Sequence, residues 1–261
     1  MTTCGDIITA VNRYAPLSLQ ENWDNSGIQV GDVTAECSGV LLCVDPTEQI
    51  IDEAVSRGCN LVISHHPLLF RGLKSITPAT GVQRAVMAAI RGGVTVFSSH
   101  TVMDSATGGI SAEMARRLGL EAPIPLVPGA NDPTTGLGAV ARATTPLDAE
   151  SLVTKIKAVF GNSVVRASRL RPDAITTVAM CGGAGGEFIP DAIACGAQAY
   201  ITADIRYHDF VDHGDEIFLV DIGHYESECC AKDIFYRIIT EKFPNFAVYY
   251  SELENNPISY L

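Results

Sequence analysis

The chain has 261 residues, 47% hydrophobic and 18% charged, a composition that buries a core and excludes an intrinsically disordered protein. Eighteen basic against thirty acidic residues leave a net charge of −12, which argues against a protein that neutralises nucleic-acid phosphates or grips an anionic membrane. A small anionic substrate stays compatible, because bound divalent cations reverse the local field.

The start, Met-Thr-Thr-Cys-Gly-Asp, lacks the basic residues and apolar run of a signal peptide, and no stretch approaches the ~20 apolar residues of a membrane span. A soluble, cytoplasmic protein is expected. An N-terminal helix comes first. Glu21–Gly31 then carries the single tryptophan, Trp23, ahead of a short strand, with Asn25 and Ser26 as turn residues or pocket residues. The cysteines, at 4, 37, 43, 59, 181, 195, 229 and 230, contain no Cys-x-x-Cys pair. They read as small buried hydrophobes in a reduced compartment rather than as disulfides or a thiolate zinc site.

Gly39–Ser64 reads as strand, turn, helix, strand, with near-continuous apolar strands suited to a parallel sheet covered on both faces. Its second strand runs into His65-His66-Pro67. Neighbouring residues in extended backbone point opposite ways, so each histidine is expected to serve a different metal ion. Val94–Asp104 holds another apolar strand with His100 and Asp104 just past its end. A helix over Ile110–Leu118 comes next, stopped by Gly119.

The pattern then repeats. Thr177–Thr202 overlays Gly39–Ser64 without a gap at an offset of 138, and Phe218–Glu228 overlays Val94–Asp104 at an offset of 124. The second overlay sets His224 on His100 and Glu228 on Asp104. Two ungapped matches in the same order point to duplication. Two similar α/β halves follow: residues 1–126 with the N-terminal helix and the His-His-Pro site, and residues 127–261 with the His-x-x-x-Glu site and a tail able to pack back on the first half. Gly182-Gly-Ala-Gly-Gly186 opens the second repeat's helix. It has neither P-loop lysine nor dinucleotide spacing, and it suits a tight turn or a backbone cradle for phosphate.

In open α/β sheets, ligands collect beyond the carboxyl ends of the strands. His65, His66, His100 with Asp104, Asp204 with His208, and His224 with Glu228 all follow apolar strands there, whereas His213 reads as a loop residue. On a helix, residues i and i+4 share a face, so His224 and Glu228 can meet one ion while Glu226 points aside. Three imidazoles (His65, His66, His224) and two carboxylates (Asp104, Glu228) form a mixed N/O set that suits Zn, Mn, Fe or Co better than Ca or Mg. Five ligands exceed the need of one open catalytic ion and fit two ions bridged by a carboxylate. No Gly-x-Ser-x-Gly and no marked cysteine offers a covalent nucleophile.

These residues also carry a family resemblance. Trp23-Asp-Asn-Ser-Gly-Ile-Gln-Val-Gly31, Ser64-His-His-Pro67, Ser99-His-Thr-Val-Met-Asp104, Thr202-Ala-Asp-Ile-Arg-Tyr-His208 and Gly223-His-Tyr-Glu-Ser-Glu228 resemble the Nif-three-like family. Its members are dinuclear-metal hexamers often labelled GTP cyclohydrolase 1 type 2 homologues. Ala203 stands where the family pattern has glycine. The resemblance implies the short form of the family, with two similar α/β halves and a two-metal pocket at the strand ends between them. It also implies a homohexamer built as a trimer of dimers. Carried over by motif, the ligands are again His65, His66, Asp104, His224 and Glu228.

The expected function is that of a divalent-metal-dependent hydrolase of a small, nucleotide-like molecule, in which two ions activate water and His100 or His208 passes protons. A metal-binding assembly protein or metal chaperone is the alternative. Neither reading requires a nucleic acid or a membrane.

Overall fold

The computed structural model describes residues 1–162 and 164–260. The chain runs α1 (Cys4–Tyr14), β1 (Gly27–Val30), β2 (Val40–Cys43), α2 (Glu48–Ser56), β3 (Leu61–Ser64), α3 (Gly81–Gly92), β4 (Thr95–Ser98) and α4 (Thr101–Ser105). It continues with α5 (Ile110–Arg117), β5 (Glu121–Ile124), β6 (Val127–Pro128), β7 (Gly136–Leu137), β8 (Ala139–Leu147), α6 (Ala149–Phe160) and β9 (Arg166–Ala167). Next come β10 (Ile175–Ala184), α7 (Ile189–Ala194), β11 (Ala199–Ala203), α8 (Tyr207–His213), β12 (Phe218–Asp221), α9 (His224–Glu228), α10 (Ala231–Lys242) and β13 (Val248–Tyr250).

The protein is mixed α/β and divides into two compact units. One comprises Met1–Ala106 and Ala231–Asn255, the other Thr107–Cys230 and Asn256–Leu261. This division differs from the boundary at 126/127 expected from the sequence. Burial explains the difference. The apolar side of α5 (Ile110, Met114, Ala115) packs with β5, β8 and β10, so the helix belongs to the second unit. The apolar side of α10 (Ile234, Phe235, Ile239) belongs to the first, where the helix packs on α1, β2 and β13.

The first unit is built on a sheet of order β1-β4-β3-β2-β13. Strands β13, β2, β3 and β4 run parallel, and β1 closes the edge antiparallel. Every residue of β2, β3 and β4 is buried, as a parallel sheet covered on both faces requires. On one face Leu41, Val62 and Val96 pack with Ile50 and Ile51 of α2 and with Val86 and Ala89 of α3. Thr47 caps α2, and the Thr80–Gln83 capping box starts α3.

The second unit is built on a sheet of order β5-β8-β10-β11-β12-β9, with β10, β11 and β12 parallel and the rest antiparallel. Its core includes Ala179, Ile189, Ala192, Tyr200 and Leu219.

Within each unit the repeat is visible as register. Val40 pairs with Leu61 in the first, and Val178 with Ala199 in the second, so the offset of 138 holds across both strands. The second overlay shifts by one. Ser64 pairs with Ser98 while Thr202 pairs with Asp221, and α4 starts at Thr101 while α9 starts at His224. The structural offset is therefore 123, not 124. His100 falls on Gly223 and Asp104 on Ser227, so the two His-x-x-x-carboxylate motifs are displaced by one residue. One residue is 100° around a helix. The duplicated frame thus carries ligand groups at non-identical positions.

The cysteines are free thiols; Cys4, Cys37, Cys43, Cys59, Cys181 and Cys230 are buried, and Cys195 is exposed. No helix among the described residues is long and apolar enough to cross a membrane.

In the first unit a buried carboxylate fixes the segment after β13. Glu53 of α2 accepts hydrogen bonds from the Ser251 hydroxyl, the Glu252 amide (2.9 Å) and the Leu253 amide (3.4 Å). Burial raises its carboxyl, but these bonds and Arg57 outweigh burial and hold it below its ordinary value. A depressed folded value means that the contribution is complete above the unfolded Glu value of ~4.3 and is lost as pH falls through the lower folded value. Glu53→Gln should therefore flatten the loss of stability on acidification below about pH 5. Urea melts across that range read the slope, and a slope equal to wild type contradicts the assignment.

Candidate metal site

In the first unit β3 delivers His65 and His66 where the chain leaves the sheet. Their amides still bond to the carbonyls of Cys43 (3.2 Å) and Val44 (2.9 Å), beside the end of β2. The backbone then bends, with the Ser64 hydroxyl donating to the His66 carbonyl at 2.7 Å. The bend overturns the expectation that the two rings point opposite ways: their centroids lie 5.1 Å apart. His100, at the N-cap of α4, joins them at 5.2 Å from His65 and 5.4 Å from His66. Ligand atoms of His65, His66 and His100 all lie within 4.8 Å of one another, close enough to meet at a metal ion.

Each ring is oriented through Nδ1. His65 Nδ1 donates to the Ser99 carbonyl (3.1 Å), His66 Nδ1 to Asp45 Oδ1 (2.8 Å) and His100 Nδ1 to Asp24 Oδ1 (2.7 Å). A carbonyl or an ionised carboxylate only accepts, so Nδ1 carries the proton and Nε2 of the neutral ring carries the lone pair. Metal-ligating histidines are held in this way, with the far nitrogen tied to an oxygen. Asp104, on α4, brings Oδ1 to 3.7 Å from His65 Nε2. That is too long for a hydrogen bond, and it fits two donors each ~2.0–2.2 Å from a common ion.

The orienting carboxylates are themselves fixed. Asp24, whose side chain is fully buried, also accepts from the Thr101 hydroxyl (2.7 Å), the Thr101 amide (3.1 Å) and the Ser26 hydroxyl (2.8 Å). Burial raises its carboxyl, and the bonds from His100, Thr101 and Ser26 overcome this to hold it well below the usual carboxylate range. Its carboxyl is therefore ionised at neutral pH. Asp45 is placed through its backbone: Glu254 accepts from the Val44 amide and from the Asp45 amide (3.0 Å) and pairs with Lys232.

In the second unit the same construction recurs on α9. His224 Nδ1 donates to Asp204 Oδ2 at 2.7 Å, and His224 Nε2 lies 3.0 Å from Glu228 Oε2, one helical turn on. Asp204 follows β11 with φ +53°, a left-handed conformation that aspartate tolerates better than most residues. Glu226 turns away to accept from Asn256 Nδ2 at 2.8 Å.

Gly182–Ala184, the end of β10, pass close to this pair. Gly183 has φ +63°, its amide donates to the Ser227 hydroxyl (2.9 Å), and a Cβ there would run into the Glu228 carboxylate. A Cβ on Gly182 would lie 2.5 Å from Ile110 Cγ2. Gly182 and Gly183 are explained by the approach of β10 to α5 and α9, and Gly185 by its closeness to Thr202 and Tyr200 of β11.

His208 stands exposed on α8 with its ring edge-on to Tyr207, 5.4 Å between centroids. No group of potential metal ligands among the described residues includes it. The carboxylate paired with it in the sequence, Asp204, bonds to His224 instead. Sequence reasoning missed Asp24 and Asp45. Asp45 does sit just past an apolar strand, and Asp24 lies inside the Trp-Asp-Asn-Ser segment beside Asn25 and Ser26, which are equally ordinary turn residues. Ser26 does bind the site, its oxygen accepting from the His100 amide at 3.0 Å.

Comparison with known proteins agrees with the architecture. The family model for Duf34/NIF3 (NGG1p interacting factor 3) matches residues 2–257. A Clostridium perfringens protein described as a GTP cyclohydrolase 1 type 2 homolog is 34% identical over 224 residues, 85% of this chain and 86% of that protein. A Lactococcus lactis protein of the same description is 32% identical over 262 residues, 97% of each chain. Among solved structures, a Staphylococcus aureus hypothetical protein matches with TM-score 0.91 at 25% identity, covering 100% of this chain and 99% of that one. A Bacillus cereus protein related to NIF3 shares the fold, with TM-score 0.92 at 21% identity over 99% of each chain.

Replacing Asp45 by Asn removes the charge that orients His66 while keeping its shape. Affinity for zinc or manganese should fall about 10- to 100-fold with melting temperature nearly unchanged. Titration calorimetry reads the affinity, and a wild-type value removes Asp45 from the account.

Proposed function

The chain belongs to the Duf34/NIF3 family, and from that premise we propose that it is a divalent-metal-binding hydrolase of a small, nucleotide-like molecule. One observation carries the reading: His66 and His224 each have Nδ1 tied to a carboxylate, Asp45 and Asp204 respectively, the arrangement that prepares Nε2 as a metal ligand. We take His65, His66, Asp104, His224 and Glu228 as the ligands of two ions drawn from Zn, Mn, Fe or Co. The donor set supports this choice, because imidazole with carboxylate suits those metals better than Ca or Mg. When bound, such ions supply Lewis acidity and make water nucleophilic at neutral pH.

The remaining steps fall to side chains of this chain. Asp24, ionised at neutral pH, keeps His100 in one tautomer, so that Nε2 is the atom that accepts a proton and returns it. His100 takes this role in preference to His208, because His100 shares a cluster with His65 and His66 while His208 is exposed beside Tyr207. The nucleotide-like substrate rests on the description shared by the Clostridium perfringens and Lactococcus lactis relatives. Assembly as a homohexamer, implied by the resemblance of the motifs, belongs to the same reading.

A double-mutant cycle tests the shared ligand set. His66→Ala and His224→Ala, singly and together, are titrated with zinc or manganese by calorimetry. Ligands serving the same ions should give strongly non-additive losses, whereas each replacement removing one independent ion would mean two separate mononuclear sites. Metal-dependent turnover in a panel of hydrolase substrates supports the enzymatic part; binding without turnover across the panel assigns the ions to storage or assembly.

A further inference from the structure

The imidazole cluster of the first unit has an aromatic rim that metal binding does not explain. Trp23 and Phe70 are 59% and 47% exposed, large apolar rings left in water. They lie 6.1 Å apart between centroids, and each touches His100, at 5.9 Å and 6.3 Å. The interplanar angles are 59°, 75° and 77°, so none of these rings has a parallel partner among the three.

Both rings sit on pinned loops. Trp23 precedes Asp24, whose buried carboxylate is fixed by His100, Thr101 and Ser26. Phe70 follows Leu69, whose carbonyl accepts from Asn25 Nδ2 (2.7 Å) and whose amide donates to Gln29 Oε1 (3.0 Å). The two loops are thus cross-linked to each other at the edge of the cluster. Ordering an exposed indole and phenyl costs conformational freedom and gains little by burial. A ligand that covers them would supply what the fold does not. Exposed neighbours in the sequence, Asn22, Asn25 and Arg71, are polar, so the apolar rim suits a ring system rather than a protein surface.

We propose that Trp23 and Phe70 form a stacking rim for a planar heterocyclic ring of the substrate, held beside His66 and His100. The proposal rests on the metal-hydrolase reading and adds the residues that select the substrate class. An aromatic face accepts any flat π-system, and stacking a base on such a side chain changes affinity by roughly five- to a hundredfold. A ring seated there stands against the imidazole cluster, so its carbons are at hand for attack. Trp23 and Phe70 are positioning and specificity residues and take no part in proton transfer.

Because Trp23 is the only tryptophan, its fluorescence reports the rim directly. The full-length protein, with and without cobalt, is titrated with guanosine and adenosine, and with ribose as the non-planar control. Both nucleosides should quench saturably and ribose should not. Phe70→Ala should weaken the nucleosides about tenfold, and calorimetry should show a loss at least as large for Trp23→Leu. Cobalt binding, followed by its visible absorption, should be unchanged in both variants. Cobalt binding without saturable quenching by either nucleoside overturns the rim and leaves the metal reading intact. Equal affinity in wild type and both variants also overturns the rim. Failure of cobalt to bind removes the metal reading itself.

Discussion

The candidate site depends on one constraint: each imidazole has its Nδ1 held by an oxygen that cannot donate. For His65 the oxygen is a carbonyl, and for His66, His100 and His224 it is a carboxylate. That bond selects the tautomer, fixes the ring plane and commits Nε2 to whatever the site receives. Much of the surrounding structure serves to fix those oxygens. The Glu254–Lys232 pair, from the last part of the first unit, holds the backbone at Asp45. The Trp23–Ser26 loop holds Asp24. The left-handed turn at Asp204 holds the carboxylate on His224.

This explains why the chain tolerates several locally unfavourable features. Asp24 is a buried carboxylate, which is favourable only because three side chains and two amides donate to it. Asp204 occupies a sparsely populated backbone region, and Gly183 leaves out a side chain so that β10 can approach Glu228. Strained and polar features of this kind concentrate where positions are set by chemistry rather than by packing.

A good part of this was legible in the sequence. The βαβ repeat at an offset of 138 appears in the structure as matching strand registers, because apolar strands buried on both faces admit little freedom of alignment. The histidines at strand ends were also legible, since residue type and position suffice to mark them. What the sequence concealed is directional. It did not reveal the bend at His65–His66 that turns both rings the same way, because a serine hydroxyl bonding two residues ahead leaves no periodic trace. It aligned His100 with His224, whereas strand register shifts them by one, because a histidine match outweighs a backbone count on paper. It left out Asp24 and Asp45, since an acidic residue in a turn is ordinary until its partner is seen. It set the division of the chain at 126/127, because a repeat marks where similarity ends, while burial decides which unit α5 and α10 join.

X-ray absorption at the metal edge of the zinc- or cobalt-loaded protein tests the central claim most directly. The account predicts a first shell of nitrogen and oxygen at ~2.0–2.2 Å with the outer-shell pattern of several imidazoles. It also predicts a metal neighbour at roughly 3.5–4 Å. A first shell dominated by sulfur at ~2.3 Å, or one without imidazole scattering, would contradict it.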